Sequence, residues 1–188
     1  MRSNALAIHV KKTWRYSESR YYGKCRRRYL KRRYRYQQEG RRFVYVDESG
    51  FEPEVVRTHG WAKRGHKVHG FRPGNTRPRT SLIAARMGGK LEAPMLFEGC
   101  CNTNIFYDWV VHCLCPNLQK GDVVVMDNAS FHKAQKIRDA IEAAEALLLF
   151  LPPYSPDRNP IETDFANLKH IRIYNEHCSI DQAINMYS

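Results

Sequence analysis

The chain has 188 residues and a formal net charge of +12, with 43% hydrophobic, 12% aromatic and 27% charged residues. That is the length of one ordinary domain with enough apolar content for a core, which excludes a wholly disordered chain, a collagen and a coiled coil. No apolar run reaches the roughly 18 residues a membrane helix needs, and Lys11 and Lys12 break the opening stretch MRSNALAIHVKKTW too early for a signal peptide.

The charge is unevenly placed. Residues 1–42 hold 15 Lys and Arg against Glu18 and Glu39, a net of +13, while the other 146 residues hold 16 bases and 17 acids, a net of −1. A basic arm over 1–42 therefore precedes a nearly neutral globular part over 43–188. From Tyr21 to Tyr36 the arm reads YYGKCRRRYLKRRYRY, five tyrosines among eight bases. Arginines with aromatics suit phosphate contact and base stacking, which marks Arg26, Arg27, Arg28, Lys31, Arg32, Arg33 and Arg35 as DNA-binding candidates. The alternative is a helix whose tyrosines pack on the domain while its arginines face solvent. The arm has no regular apolar period, and the ends of any helix in it are not legible.

In chain order, FVYVDESGF reads as a buried strand from Phe43 that reaches a loop at its acids. Residues 52–79, polar and rich in Gly, Pro and Arg, predict irregular structure with one short strand pair. TSLIAARM and KLEAPMLFEG predict a hairpin turning at Gly88-Gly89. A helix is expected over 102–118, with Ile105, Trp109, Val110 and Cys113 on one face. DVVVMDNASFH is a second strand ending in an acid, followed by a helix over about 133–145. ALLLFLPP is an apolar strand stopped by two prolines. After the loop YSPDRNP a helix begins near Pro160, with Glu162 and Asp164 where the helix dipole favours acids. A short helix over 180–187 closes the chain. The order is that of an α/β fold with helices covering a mixed sheet. The six cysteines include no CxxC pair, so reduced core thiols are expected rather than zinc ligands or disulfides.

Asp47 and Asp127 each follow four apolar or aromatic residues and precede a polar loop. Acids at the ends of neighbouring buried strands come close together and repel unless a proton or a cation lies between them. Glu162 could supply a third oxygen ligand. Such a donor set suits Mg²⁺ or Mn²⁺, two ions of which can activate water and stabilise a leaving oxygen in phosphodiester cleavage. Any one of these acids taken alone is as well explained as a turn former or cap.

VYVDESGF, VVVMDNASFH and FLPPYSPDRNPIE together resemble the three catalytic motifs of the DDE transposases, most closely the mariner superfamily and its bacterial insertion-sequence relatives. As in that group, 34 residues separate Asp127 from Glu162. The similarity runs over about residues 43–175 and includes HGWAKRGH. It implies an RNase H-like fold: a mixed five-stranded sheet flanked by helices, with the first acid on the first strand, the second on the fourth and the glutamate on a later helix. It further implies metal-dependent cleavage at transposon ends and strand transfer into target DNA. Asp47, Asp127 and Glu162 would be the catalytic metal ligands, with Asn128, His132, Asn159 and Pro160 supporting the site. Implied partners are transposon-end and target DNA and further copies of the chain, in a bacterial cytoplasm at the nucleoid.

Two departures stand out. The helix-turn-helix region usual ahead of the catalytic domain is not recognisable in the arm. KKTWRYSES resembles the linker that follows such a region, so an upstream or separate helix-turn-helix polypeptide is implied. Phe165 stands where a tryptophan is common, a swap that packing tolerates. Two other readings remain open: an idle fragment that binds DNA or the full transposase as a regulator, and a cellular RNase H-like nuclease.

Overall fold

The computed structural model describes residues 20–52, 62–67, 69, 79–153, 155–175 and 177–187. It consists of α1 (Arg20–Gln38), β1 (Phe43–Phe51), β2 (Thr80–Met87), β3 (Lys90–Glu98), α2 (Thr103–Trp109), β4 (Val123–Met126), α3 (Gln135–Ala143), β5 (Leu147–Phe150), α4 (Ile161–Tyr174) and α5 (Ile180–Tyr187). The strands form one mixed sheet in the order β3-β2-β1-β4-β5. β1–β2 and β2–β3 pair antiparallel, while β1–β4 and β4–β5 pair in parallel. The hairpin turns where expected, and Gly88 (φ 58°) and Gly89 (φ 93°) both adopt the left-handed conformation its two-residue turn requires.

Strand alternation divides the core between the two faces of the sheet. On one face Val44, Val46, Ile83, Val124 and Met126 pack under Phe106, Trp109 and Leu114 of the helix after β3 and under Ile137 and Ile141 of α3. On the other, Leu82, Ala84 and Phe51 meet Ile161, Phe165 and Leu168 of α4 and Ala183 and Ile184 of α5. Phe165 is buried there, as expected for a residue standing in for tryptophan. Beside them, Val123, Val125 and Leu149 meet Tyr29 of α1. Burying one large side chain of this kind contributes roughly 2–3 kcal/mol.

Several elements differ in detail from the sequence expectation. The 102–118 helix forms, capped by Asn102, whose side chain accepts from the amides of Asn104 and Ile105. It widens into a π-turn over Val110–Leu114 and tightens to a 3₁₀ turn at Cys115–Asn117. The helix after the second acid starts later, at Gln135, because Phe131–Lys133 make a separate 3₁₀ turn. β1 does not stop at its acids. It continues to Phe51 because β2 supplies a partner all the way, with Asp47 opposite Ala84 and Phe51 opposite Thr80. The cysteines are free, but none is a core residue: five are half-buried and Cys100 is exposed. Cys101, Cys113 and Cys115 pack at the margin of one core cluster and Cys178 at that of the other. The strand pair expected within 52–79 lies outside the described residues, apart from a turn in which the His66 amide donates to Lys63 O at 3.0 Å.

Candidate active site

The register of the central parallel pair brings the two aspartates together. Phe43 faces Val123, Val44 faces Val124 and Tyr45 faces Val125. Continuing by two residues sets Asp47 level with Asp127, on strands about 5 Å apart. Asp47 and Asp127 alternate with Tyr45 and Val125, so both belong to the face that α4 and α1 cover. Asp127 follows the last residue of β4, whereas Asp47 sits mid-strand. The site is thus where the parallel partner ends and β1 runs on alone beside β2.

Each aspartate is held by a residue that the resemblance marks as supporting. Asn159 Nδ2 donates to Asp47 Oδ2 at 2.9 Å, and the Glu48 amide donates to Asp47 Oδ1 at 2.9 Å. Asp127 Oδ1 accepts from the Ala129 amide at 2.8 Å and lies 2.6 Å from His132 Nδ1. Its Oδ2 has no hydrogen-bond partner among the described residues, and nearly half of the side chain is exposed. Asn128 donates to Leu151 O, tying the loop after β4 to the end of β5. Pro160 caps α4 rather than entering it, and the Asn159 carbonyl accepts from the Glu162 amide at 3.2 Å. Glu162, in the first turn of α4, is exposed.

The electrostatics describe a site with surplus negative charge. Burial pushes the Asp47 carboxyl up to about 7, and the charges of Glu48, Asp127 and Glu162 add to the rise against the opposing Glu48 amide. The His132 hydrogen bond holds Asp127 below the usual carboxylate range. His132 is fully buried. Burial disfavours its charged form, yet Asp127 and Glu48 outweigh this and lift it to about 9. Phe106 and Phe131 pack on its ring, at 4.3 and 4.4 Å between centroids.

Glu48 was not among the sequence candidates. Its Oε2 lies 3.4 Å from His132 Nε2, an ion-pair distance without hydrogen-bond geometry. Its only sequence signal was adjacency to Asp47, and alternation assigns it to the opposite face. His132 reaches both because it packs across the end of β4, spanning Asp127 and Glu48. Asp164, expected as a dipole acid, is instead wholly buried and pairs with Arg86 of β2 and with the Tyr187 hydroxyl, at 2.6 Å for the latter.

The basic candidates separate into two sets. Arg26 is paired with Asp157, 2.7 Å from Nη2 to Oδ2, and Arg33 lies over the Phe43 ring. Arg27, Arg28, Lys31, Arg32 and Arg35 are exposed on α1. The alternative of tyrosines packing inward while arginines face water thus holds for Tyr29, which is buried, but not for Tyr34, which is 65% exposed.

Among the described residues no three His, Cys, Asp or Glu are gathered into a metal cage. The donor chemistry nevertheless fits a hard divalent cation: all three candidates are carboxylates, Asp127 Oδ2 has no hydrogen-bond partner among the described residues, and burial with negative neighbours pushes the Asp47 carboxyl up, a rise that a cation would offset.

A family model described as DDE superfamily endonuclease matches residues 42–184. The chain belongs to this family. Comparison with curated proteins finds no match. Among solved structures the fold resembles the Mos1 strand transfer complex (TM-score 0.74, 20% identity, 97% of this chain and 57% of that one). It also resembles a pre-cleavage Mos1 transpososome (TM-score 0.74, 17% identity, 97% and 58%). The catalytic domain of Mos1 mariner transposase is similar at TM-score 0.64 and 17% identity, over 93% of this chain and 82% of that one. At these identities the likeness is one of fold, and it gives this DDE endonuclease chain the RNase H-like architecture. The chain spans a little over half the length of the Mos1 chains in the two complexes.

Proposed function

We propose that residues 43–188 are the catalytic domain of a transposase that cleaves DNA at transposon ends and transfers the strand into target DNA. What supports this reading is the parallel register of Tyr45 with Val125, which extended by two residues sets Asp47 level with Asp127 on one face, together with the charges of Asp127 and Glu162 that act on Asp47. Asp47, Asp127 and Glu162 would hold Mg²⁺ or Mn²⁺, which when bound supplies activated water and charge stabilisation at the phosphodiester. Complexes of Mos1 with Mg and with Mn support that choice of metal.

The chain's own residues prepare the site. Asn159 orients Asp47, while His132 and the Ala129 amide hold Asp127 by one oxygen, keep it ionised and leave the other open. His132, anchored by Glu48 and by the Phe106 and Phe131 rings, keeps Asp127 in one rotamer. Partners under this reading are DNA and further copies of the chain assembled on it. An upstream or separate helix-turn-helix unit reads the end sequence, within a bacterial cytoplasm at the nucleoid.

The test is Mg²⁺- or Mn²⁺-dependent nicking of supercoiled DNA by the purified chain. Asp127→Asn should abolish nicking without unfolding the domain, as should Asp47→Asn and Glu162→Gln. Nicking at the wild-type rate in Asp127→Asn overturns the assignment. Binding without nicking by the wild type favours an idle, regulatory fragment.

A further inference from the structure

β5 ends the sheet, so one of its edges has no strand partner among the described residues. Between that edge and α1 lies a groove of about 860 Å³. Its cations are Arg28, Lys31, Arg32 and Arg35 from α1 and Arg138 from α3, and no acid lines it among the described residues. Arg28, Lys31 and Arg32 have no acidic partner there. The acidic partners of Arg35 and Arg138 among the described residues are exposed i,i+4 ones, 3.5 Å to Glu39 and 3.9 Å to Glu142, pairs that contribute little and yield readily to a stronger anion. Arg28, Arg32 and Arg35 recur about once per turn, roughly 5 Å apart along the helix, as a row facing the strand edge.

The groove is not merely basic. Tyr34 lines it while 65% exposed, and Leu148, Phe150 and Pro152 form an apolar side. A cationic row beside aromatic and apolar surface matches a sugar-phosphate backbone whose bases are unpaired and free to stack. A duplex hides its base faces and would leave the apolar side unused. Asn128, the chain neighbour of Asp127, also lines the groove.

We propose that this groove holds a single strand of DNA leading away from the carboxylate site. The inference deepens the transposase reading by giving the strand a path, and it divides the basic helix into working and idle cations. Arg27 is exposed on the same helix but does not line the groove, and Arg138 lines it from another element.

The experiment is fluorescence anisotropy of the full chain with a labelled oligothymidylate in EDTA, so that no metal-dependent step contributes and a failed nicking assay leaves the result readable. Arg28→Ala, Arg32→Ala and Arg138→Ala should each weaken binding several-fold and lower the slope of log affinity against log salt by about 0.7. Arg27→Ala should leave both unchanged, and Tyr34→Ala should reduce the preference for single strand over a duplex of equal length. Equal losses for Arg27→Ala and Arg28→Ala would overturn the groove in favour of unspecific attraction to a charged helix. So would full affinity in Arg138→Ala, or a duplex bound as tightly as the single strand. Circular dichroism of each variant separates lost binding from lost fold.

Discussion

Arg86→Met tests how α4, which carries Glu162, is fastened to the sheet. The Asp164 carboxylate is wholly buried on α4, and its Oδ1 accepts from Arg86 and Tyr187 while Oδ2 has no hydrogen-bond partner among the described residues. Methionine keeps much of the arginine's volume but leaves that carboxylate with one hydroxyl. Removing one member of a buried ion pair costs about 3–5 kcal/mol. The Arg86 side chain is 27% exposed, so water screens part of the pair and the lower end, about 3 kcal/mol, is expected. In a domain of this size that lowers Tm by about 6–12 °C and the urea midpoint by about 1–2 M. The second arm is Asp164→Asn in the Arg86→Met background, which removes the stranded charge and should recover at least half of the loss. Urea unfolding of the single and double variants completes the cycle. A cost below about 1 kcal/mol for Arg86→Met, or no recovery in the double variant, would show that the pair is a solvent-screened contact and refute the reasoning.

Tyr29 anchors α1 with its ring, and its buried hydroxyl has no hydrogen-bond partner among the described residues. Tyr29→Phe should therefore be neutral or stabilising by up to about 1 kcal/mol, whereas Tyr29→Ala should cost about 3 kcal/mol or more. Thermal unfolding distinguishes the two, and a clear loss in Tyr29→Phe would mean that the hydroxyl is bonded. Asn159→Ala removes the donor that orients Asp47 and should raise the Mg²⁺ concentration for half-maximal nicking by about 10-fold or more. An unchanged Mg²⁺ dependence would reduce Asn159 to a backbone contact ahead of α4.

The candidate site was legible in outline because its parts are short, local patterns. Apolar runs ended by acids marked both aspartates, and SPDRNPIE placed Glu162 at a helix start. The supporting contacts were less so. Asn159 meets Asp47 across 112 positions, and nothing in either local pattern says that they touch. Arg86 and Asp164, 78 apart, are likewise read in isolation as a strand-surface base and a dipole acid. Glu48 was hidden because alternation sends it away from Asp47, and only the placement of His132 reconnects it to the site.

By itself the sequence determined the order and type of the elements from Phe43 onward and the two-residue hairpin, and its motif strings carry the resemblance that implies the RNase H-like class and names the three candidate carboxylates. These follow from periodicity, turn chemistry and motif strings, all of which act over a few neighbouring residues. Only the tertiary structure decided that β1 runs past Asp47, because its length is set by the partner strand β2 rather than by its own composition. It also sorted the basic helix, since nine cations on a nearly uniform segment look alike until packing buries Tyr29, pairs Arg26 with Asp157 and turns Arg28 and Arg32 toward the open edge of β5. Which face of a helix is inward depends on what it is packed against, and that is a property of the whole fold.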